Sequence, residues 1–304
     1  MSPKMRVFIV GAAGLLGHTL LRRWYGRPGW DVSAADISPA GLKVERLDAL
    51  EPGAVKAAVQ RLKPDIVIFP ASNPHVDFCE TNPQETRRLN VEATLSAAQA
   101  SISLGCKFVF FSSDYVFDGI RGDYREEALP FPLNEYGKQK LEVEKALAAY
   151  GEKALTVRLS GLFGWELKPR NYVLQVLSRL RSGGEVTAPG DIEYYPTFAE
   201  GFADGLSVLL EKNASGLIHL AGSERLTRAS FSRLIAEVFG LDASLIVPPP
   251  QGFPPPRAPR PKRSFLDSSK AKTLFGASVG DSRRGLERMR ATEAEWSAYA
   301  AGIR

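Results

Sequence analysis

The chain has 304 residues but only two cysteines, Cys79 and Cys106, and three histidines. Two thiols cannot staple a disulfide scaffold, and three scattered histidines offer no metal-ligand spacing, so no metal is expected. No apolar run reaches the roughly eighteen residues of a membrane span. Nor is there a dense basic block: a net charge of +5 is mild, which argues against a nucleic-acid partner. Lys4 and Arg6 ahead of VFIVGAAGLLG imitate the start of a signal peptide, but three glycines at fixed offsets break the apolar run. These absences point to a protein of the reducing cytoplasm, neither exported nor membrane-bound. What is present, 44% hydrophobic and 24% charged residues, suits a globular chain long enough for two lobes. There is no internal repeat.

A buried strand over Arg6 to Val10 runs directly into Gly11-Ala-Ala-Gly14-Leu15-Leu16-Gly17 and then a helical pattern from His18 to Tyr25. Strand, tight glycine turn and helix start are the context a dinucleotide pyrophosphate needs. Gly11 permits the turn, Gly14 admits the pyrophosphate, and Gly17 lets helix pack on strand, with free N–H groups at the helix start. A second strand, Asp31 to Ala35, ends in Asp36, about twenty residues past the turn, where a carboxylate accepts from a ribose and repels a 2′-phosphate. That favours NAD(H) over NADP(H), although Arg22, Arg23 and Lys43 stand by for a phosphate.

The alternation continues with a strand at Val44 to Leu47 ending at Asp48, and a helix at Pro52 to Leu62. A strand at Asp65 to Phe69 opens into Pro70-Ala71-Ser72, where small residues allow close approach of a cofactor. A long helix at Pro83 to Leu104 contains Asn90; a strand at Lys107 to Ser112, a helix at Asn134 to Ala149 and a strand at Ala154 to Leu159 follow. Repeated βα units give an α/β fold, a doubly wound parallel Rossmann sheet with ligands at the carboxyl ends of its strands. We place this dinucleotide-binding domain at residues 1–160, its sheet partly completed by 217–221. Residues 161–304 then form mainly a smaller C-terminal substrate-binding lobe, with helices at Tyr172 to Leu180, Phe198 to Leu210 and Thr227 to Phe239. The stretch Pro248 to Arg263 is too rich in proline for helix or central strand. It is either a structural wrap or a stiff clamp presenting Arg257, Arg260, Lys262 and Arg263 to an anionic substrate.

Chemistry concentrates in VFFSSDYVFDG, from Val109, and in the later LNEYGKQK. Tyr136 and Lys140 stand four apart, on one helical face. An ammonium beside the phenol is expected to draw its pKa down from about 10, so that Tyr136 exchanges a proton with a carbonyl or alcohol while Ser113 holds the same oxygen.

Together these residues resemble the extended short-chain dehydrogenases/reductases, and within them the dTDP-4-dehydrorhamnose reductase group. The most specific stretch is Ser112-Ser-Asp-Tyr-Val-Phe-Asp-Gly119. It is supported by the glycine turn, Leu47-Asp48, Ala71, Val76-Asp77, Tyr136-Gly-Lys-x-Lys140, Pro196-Thr197, His219-Leu-Ala-Gly222 and the late Arg260-Pro-x-x-Ser264-x-Leu-Asp267. The resemblance implies NAD(P)H-dependent reduction of a 4-keto sugar nucleotide by a monomer or homodimer. It implies Ser113, Tyr136 and Lys140 as catalytic, and Gly11, Gly14, Leu15, Leu16, Asp36, Asp48, Ala71, Ser72, Asn90, Tyr136 and Lys140 as cofactor contacts. His75, Asp114, Asn171 and Arg260 would meet the substrate. The related dehydratases carry an Asp-Glu pair where this chain has Asp114-Tyr115, so water elimination is not expected. The chain departs from the rhamnose enzymes at Gly161, where they tend to have tryptophan, at Asp191 to Tyr195, and at Arg263. Two competing readings stand: a dinucleotide-binding regulatory subunit, since the chain is also similar to the beta subunit of methionine adenosyltransferase, and a sugar-nucleotide 4-epimerase.

Overall fold

Apolar side chains along the first strand, β1 (Met5–Val10), are buried on both faces: Val7 and Ile9 join one core, Phe8 and Val10 the other. The same division recurs in Lys107–Ser113, with Val109 and Phe111 on one side and Phe108 and Phe110 on the other. A strand apolar on both faces needs helices above and below it, which is the parallel, doubly covered sheet. The computed structural model, describing residues 4–39, 41–251 and 254–303, has this architecture.

After β1 come β2 (Trp30–Asp36), β3 (Glu45–Arg46), β4 (Ile66–Phe69), β5 (Lys107–Ser113) and β6 (Ala154–Leu159). Two-residue strands β7 (Leu162–Phe163), β8 (Val186–Thr187), β9 (Glu193–Tyr194) and β10 (Thr197–Phe198) lead to β11 (Gly216–His219). The central sheet has seven strands in the order β11-β6-β5-β4-β1-β2-β3, every pair parallel. Strand order reverses between β1 and β4, and a crevice opens there at the carboxyl ends of the strands. The glycine turn follows β1 and Pro70-Ala71-Ser72 follows β4, so both border that crevice.

One face is covered by helices Ala54–Leu62, Thr94–Ser103 and Glu135–Ala148, the other by Leu15–Trp24 and Ala199–Glu211. A third core, built from helices Tyr172–Arg181, Arg228–Phe239 and Ser282–Ala291, forms the smaller lobe. Residues 199–219 therefore return to the first lobe as a helix and a strand. The helix expected over Pro83 to Leu104 is present and unbroken through Ser103, but its register shifts within it: Pro83–Arg87 passes into a π-helical turn, Arg88–Ala93, and then into Thr94–Ser103. Such a turn re-aims the side chains it carries, and it turns Asn90 inward. Two further helices, Ser282–Ala291 and Glu293–Ile303, were not anticipated. The last one lays Trp296 and Tyr299 against the helix of the glycine turn, where Tyr299 Oη is 2.9 Å from His18 Nε2 and Arg22 lies over both rings.

The sheet is tied to its covering layer by a buried ion pair. Arg158 on β6 donates from Nε and Nη2 to the two carboxylate oxygens of Glu144, at 2.8 and 2.6 Å, and its third edge faces His219 Nε2 at 3.2 Å. Removing one partner strands a buried charge. Glu144→Gln is expected to cost about 3–5 kcal/mol of unfolding free energy in urea titrations.

Candidate functional site

The glycine turn is sterically committed at two of its three positions. Gly11 has φ +103°, and a Cβ there would stand 2.6 Å from the backbone nitrogen of Ala71; at Gly17 it would stand 2.1 Å from the Gly11 carbonyl oxygen. Gly14 is different: it is exposed, and a Cβ would meet nothing nearer than 3.8 Å. Its lack of a side chain keeps open the space in front of the turn. Helix Leu15–Trp24 begins there with no side-chain cap and no acidic residue in its first turn. Its free N–H groups and partial positive charge are thus presented to an anion. At the end of β5, in the lining of the same cleft, the Ser112 hydroxyl is buried without a hydrogen-bond partner. This donor set fits the pyrophosphate and sugar hydroxyls of a dinucleotide.

Gly11, Gly14, Leu15, Leu16, Ser72, His75, Ser113, Asp114, Tyr136, Lys140 and Asn171 all line one cleft of about 480 Å³. The helix of Tyr136 and Lys140 starts at Asn134, whose Oδ1 accepts from Gly137 N at 2.9 Å, and runs Glu135–Ala148. Four-residue spacing puts both side chains toward the end of β5. Lys140 Nζ donates to the Phe111 carbonyl at 2.9 Å and sits 5.6 Å from the Tyr136 ring. The Ser113 hydroxyl donates to Asp114 Oδ1 at 2.9 Å and accepts from Tyr115 N at 3.2 Å. Asp114 Oδ2 receives Ser160 at 3.0 Å and also Ser264. Burial raises the Asp114 pKa against the pull of these three hydroxyls.

The electrostatics correct the expectation of an acidified phenol. Burial, and the nearby Asp114, push Tyr136 above its ordinary pKa, with Ser113 pulling weakly the other way. Burial likewise lowers Lys140, to about 8. Each group is driven toward its neutral form because the cleft removes water from both.

Several expected contacts lie elsewhere. Asn90 is buried and fully used: its Oδ1 accepts from Asn73 N at 2.7 Å, while Nδ2 donates to Gln139 Oε1 at 2.8 Å and Asn73 O at 3.2 Å. It shapes the loop after β4 and does not line the cleft. Ala71 stands behind Gly11, and Asp48 caps its own turn by accepting from Leu50 N at 2.8 Å. Asp36 sits at the end of β2, outside the cleft lining, accepting from Ala13 N at 2.9 Å and Ser38 N at 2.8 Å.

The clamp reading of the proline-rich segment is corrected. Gly252 and Phe253 lie outside the described residues; the remainder wraps the Tyr136 helix, with Asn134 Nδ2 donating to Pro259 O at 2.8 Å. Arg260 pairs with Asp77 at 3.0 Å, Lys262 with Asp191 at 2.6 Å and Arg263 with Glu193 at 3.7 Å. Lys262, Arg263 and exposed Arg257 do not line the cleft; Arg260 stands at its edge, 6.0 Å from the centroid of the Tyr115 ring, and Pro261 and Ser264 line it. The basic side chains that line it are instead Lys140, Arg170 and Arg228, the last two unforeseen. Nothing in the local sequence marks them, since their place depends on packing between distant segments. Gly161 has φ +50°, and a Cβ there would stand 2.5 Å from the Tyr194 ring, which fills the space.

Comparison with known proteins agrees with the architecture. Residues 5–294 match the sequence profile of the RmlD substrate binding domain. The methionine adenosyltransferase 2 subunit beta of Xenopus tropicalis is 32% identical over 279 residues, covering 90% of this chain and 83% of the relative. The probable low-salt glycan biosynthesis reductase Agl14 of Haloferax volcanii is 30% identical over 299 residues, covering 96% and 100%. Among solved structures, a dTDP-4-dehydrorhamnose reductase from Bacillus anthracis in complex with NADP superposes with a TM-score of 0.86 at 26% identity, covering 94% of this chain and 98% of the other.

The lowered lysine has a measurable signature. Below pH 8 both folded and unfolded states hold the Lys140 proton, and the folded state bears the cost of burying it; between about 8 and 10.5 only the unfolded state holds it, so stability rises with pH. Lys140→Met is therefore expected to raise the melting temperature at pH 7, with the difference from wild type shrinking as the pH approaches 10.

Proposed function

The chain belongs to the family of the RmlD substrate binding domain, and from that premise we propose that it reduces the 4-keto group of a sugar nucleotide at the expense of a nicotinamide dinucleotide. The observation that carries this reading is the convergence of Ser113, Tyr136 and Lys140 with the glycine turn in one cleft. The dinucleotide, when bound, supplies the hydride. Gly11, Gly14, Leu15, Leu16 and Ser72 would hold it, with Lys140 toward its ribose. NAD(H) is preferred, because Asp36 opposes a 2′-phosphate while keeping lone pairs free beyond the two backbone bonds it accepts.

Tyr136 is the proton donor. A phenol held above its ordinary pKa keeps its proton at neutral pH, the state needed to protonate a carbonyl oxygen as the keto carbon is reduced. Ser113 has committed its own hydrogen to Asp114 and one lone pair to the Tyr115 N–H, so it offers the reacting centre a single remaining lone pair rather than a hydrogen for the substrate oxygen. An anionic or hydroxyl group bound beside Lys140 favours the ammonium form, and a charged Lys140 in turn stabilises the phenolate left after transfer. Aromatic and apolar walls, including Phe111, Leu159 and Tyr115, exclude water from the exchange.

A second reading, a dinucleotide-binding regulatory subunit acting through a partner protein, is favoured by the 32% identity to the methionine adenosyltransferase subunit. The two readings separate in one assay. With a dTDP-4-keto-6-deoxyhexose, the purified protein should oxidise NADH or NADPH, and Tyr136→Phe should lower the rate by about 100-fold or more. Dinucleotide binding without any turnover would transfer the assignment to the regulatory reading; undiminished turnover in the variant would remove Tyr136 from the chemistry.

A further inference from the structure

The last helix, Glu293–Ile303, is about 16 Å long and joins the smaller lobe to the segment that follows β2. Its start is tied to the smaller lobe. Arg181 Nη2 meets Glu293 Oε1 at 2.6 Å, and the Trp296 ring lies nearly parallel to that of Trp165, with centroids 6.3 Å apart. Trp165 is itself held by donation from Nε1 to the Met289 carbonyl at 3.1 Å, and its neighbour Glu166 lines the cleft. The middle of the helix is seated on the helix of the glycine turn, where His18 meets Tyr299 and Arg22 lies 5.1 and 4.8 Å from the ring centroids of Trp296 and Tyr299. Burial, with Arg22 beside it, holds His18 down at about 4, so at pH 7 its ring is neutral and tolerates the adjacent guanidinium. The end of the helix reaches Gly41. This glycine has φ +80°, and a Cβ there would stand 2.0 Å from the Ile303 carbonyl oxygen, so the last turn rests on bare backbone.

Gly41 belongs to the segment that begins at Asp36. The Asp36 carboxylate accepts from Ser38 N on that segment and from Ala13 N in the glycine turn, so it links the two. The segment is therefore gripped twice, by Asp36 from within and by the last helix from outside. Neither Trp296 nor Tyr299 lines the cleft, so any effect they have on a ligand passes through what they hold. We propose that Trp296 and Tyr299 are positioning residues of the dinucleotide site, through which the last helix sets the affinity for the adenosine half of the cofactor. This rests on the reading of the glycine turn and Asp36 as the place where a dinucleotide binds. A segment already ordered in the free protein loses no conformational freedom when the ligand arrives, whereas one released from its support must be ordered at the expense of affinity. The other half of the site is fixed separately: the end of β5 and the Tyr136 helix are held by the hydroxyls on Asp114 and by the proline-rich wrap. The effect should accordingly fall on one half of the dinucleotide alone.

The test is calorimetric titration of the full chain with NADH, with ADP-ribose, which carries the adenosine half alone, and with reduced nicotinamide mononucleotide at millimolar concentration, which lacks it. The double variant Trp296→Ala/Tyr299→Ala should bind NADH and ADP-ribose about 10-fold or more weakly, since re-ordering even one backbone residue on binding costs about that factor. Its affinity for the mononucleotide should stay near that of wild type, which also shows that the variant is folded. Tyr299→Phe, which removes only the hydrogen bond to His18, should show a smaller loss with the same selectivity. Unchanged ADP-ribose affinity in the double variant, or equal losses for ADP-ribose and the mononucleotide, overturns the proposal. Should the double variant bind none of the three ligands, Tyr299→Phe decides: a loss confined to NADH and ADP-ribose supports the proposal, and any other result overturns it. If wild type binds NADH and the variants bind it equally well, only the role of the last helix is removed; if wild type binds none of the three, the dinucleotide reading falls together with it.

Discussion

One buried carboxyl holds the cleft in shape. Asp114 directly follows strand β5, and it gathers hydroxyls from Ser113 beside it, from Ser160 just beyond β6 and from Ser264 at the exit of the proline-rich wrap. Three pieces of chain far apart in sequence are fastened at a single point. A buried acid without such donors would be expensive; with them it orients Ser113 and fixes where the wrap crosses the Tyr136 helix. The wrap in turn grips Asn134, which caps that helix. The position of the phenol follows from this chain of contacts rather than from its own surroundings alone.

The electrostatic state of the cleft follows from the same dryness. Tyr136 rises and Lys140 falls because water is removed from both, in an enclosure that Arg228, Asp114 and Glu166 also line. Electrostatic preorganisation of this kind is a property of the folded chain and is largest where solvent is excluded.

Much of this was legible in the sequence, for local reasons. The strand, glycine turn and helix at Val10 to Leu20 follow from backbone geometry, and Gly11 and Gly17 are required because a Cβ at either would stand 2.6 or 2.1 Å from a backbone atom. Four-residue spacing alone placed Tyr136 with Lys140. What sequence reading missed depends on packing at a distance. The inward turn of Asn90 comes from a π-helical register that propensity does not reveal. The carboxylates that neutralise Arg260, Lys262 and Arg263 lie on other segments, Asp77, Asp191 and Glu193. Arg228 is placed by the rings of Tyr172 and Tyr194, 4.3 and 4.4 Å from its guanidinium, and the Tyr194 ring needs the absence of a side chain at Gly161. The direction of the Tyr136 shift is set by burial, which four-residue spacing does not reveal.

The last helix has a bearing on how the protein is made. His18 meets Tyr299 across 281 residues, and strand β11, at the edge of the central sheet, is itself two-thirds of the way along the chain. On the ribosome, where earlier segments emerge first, the helix of the glycine turn must wait for some 281 further residues before Trp296 and Tyr299 can close over it and Arg22. The glycine turn is therefore synthesised long before the helix that packs against its own.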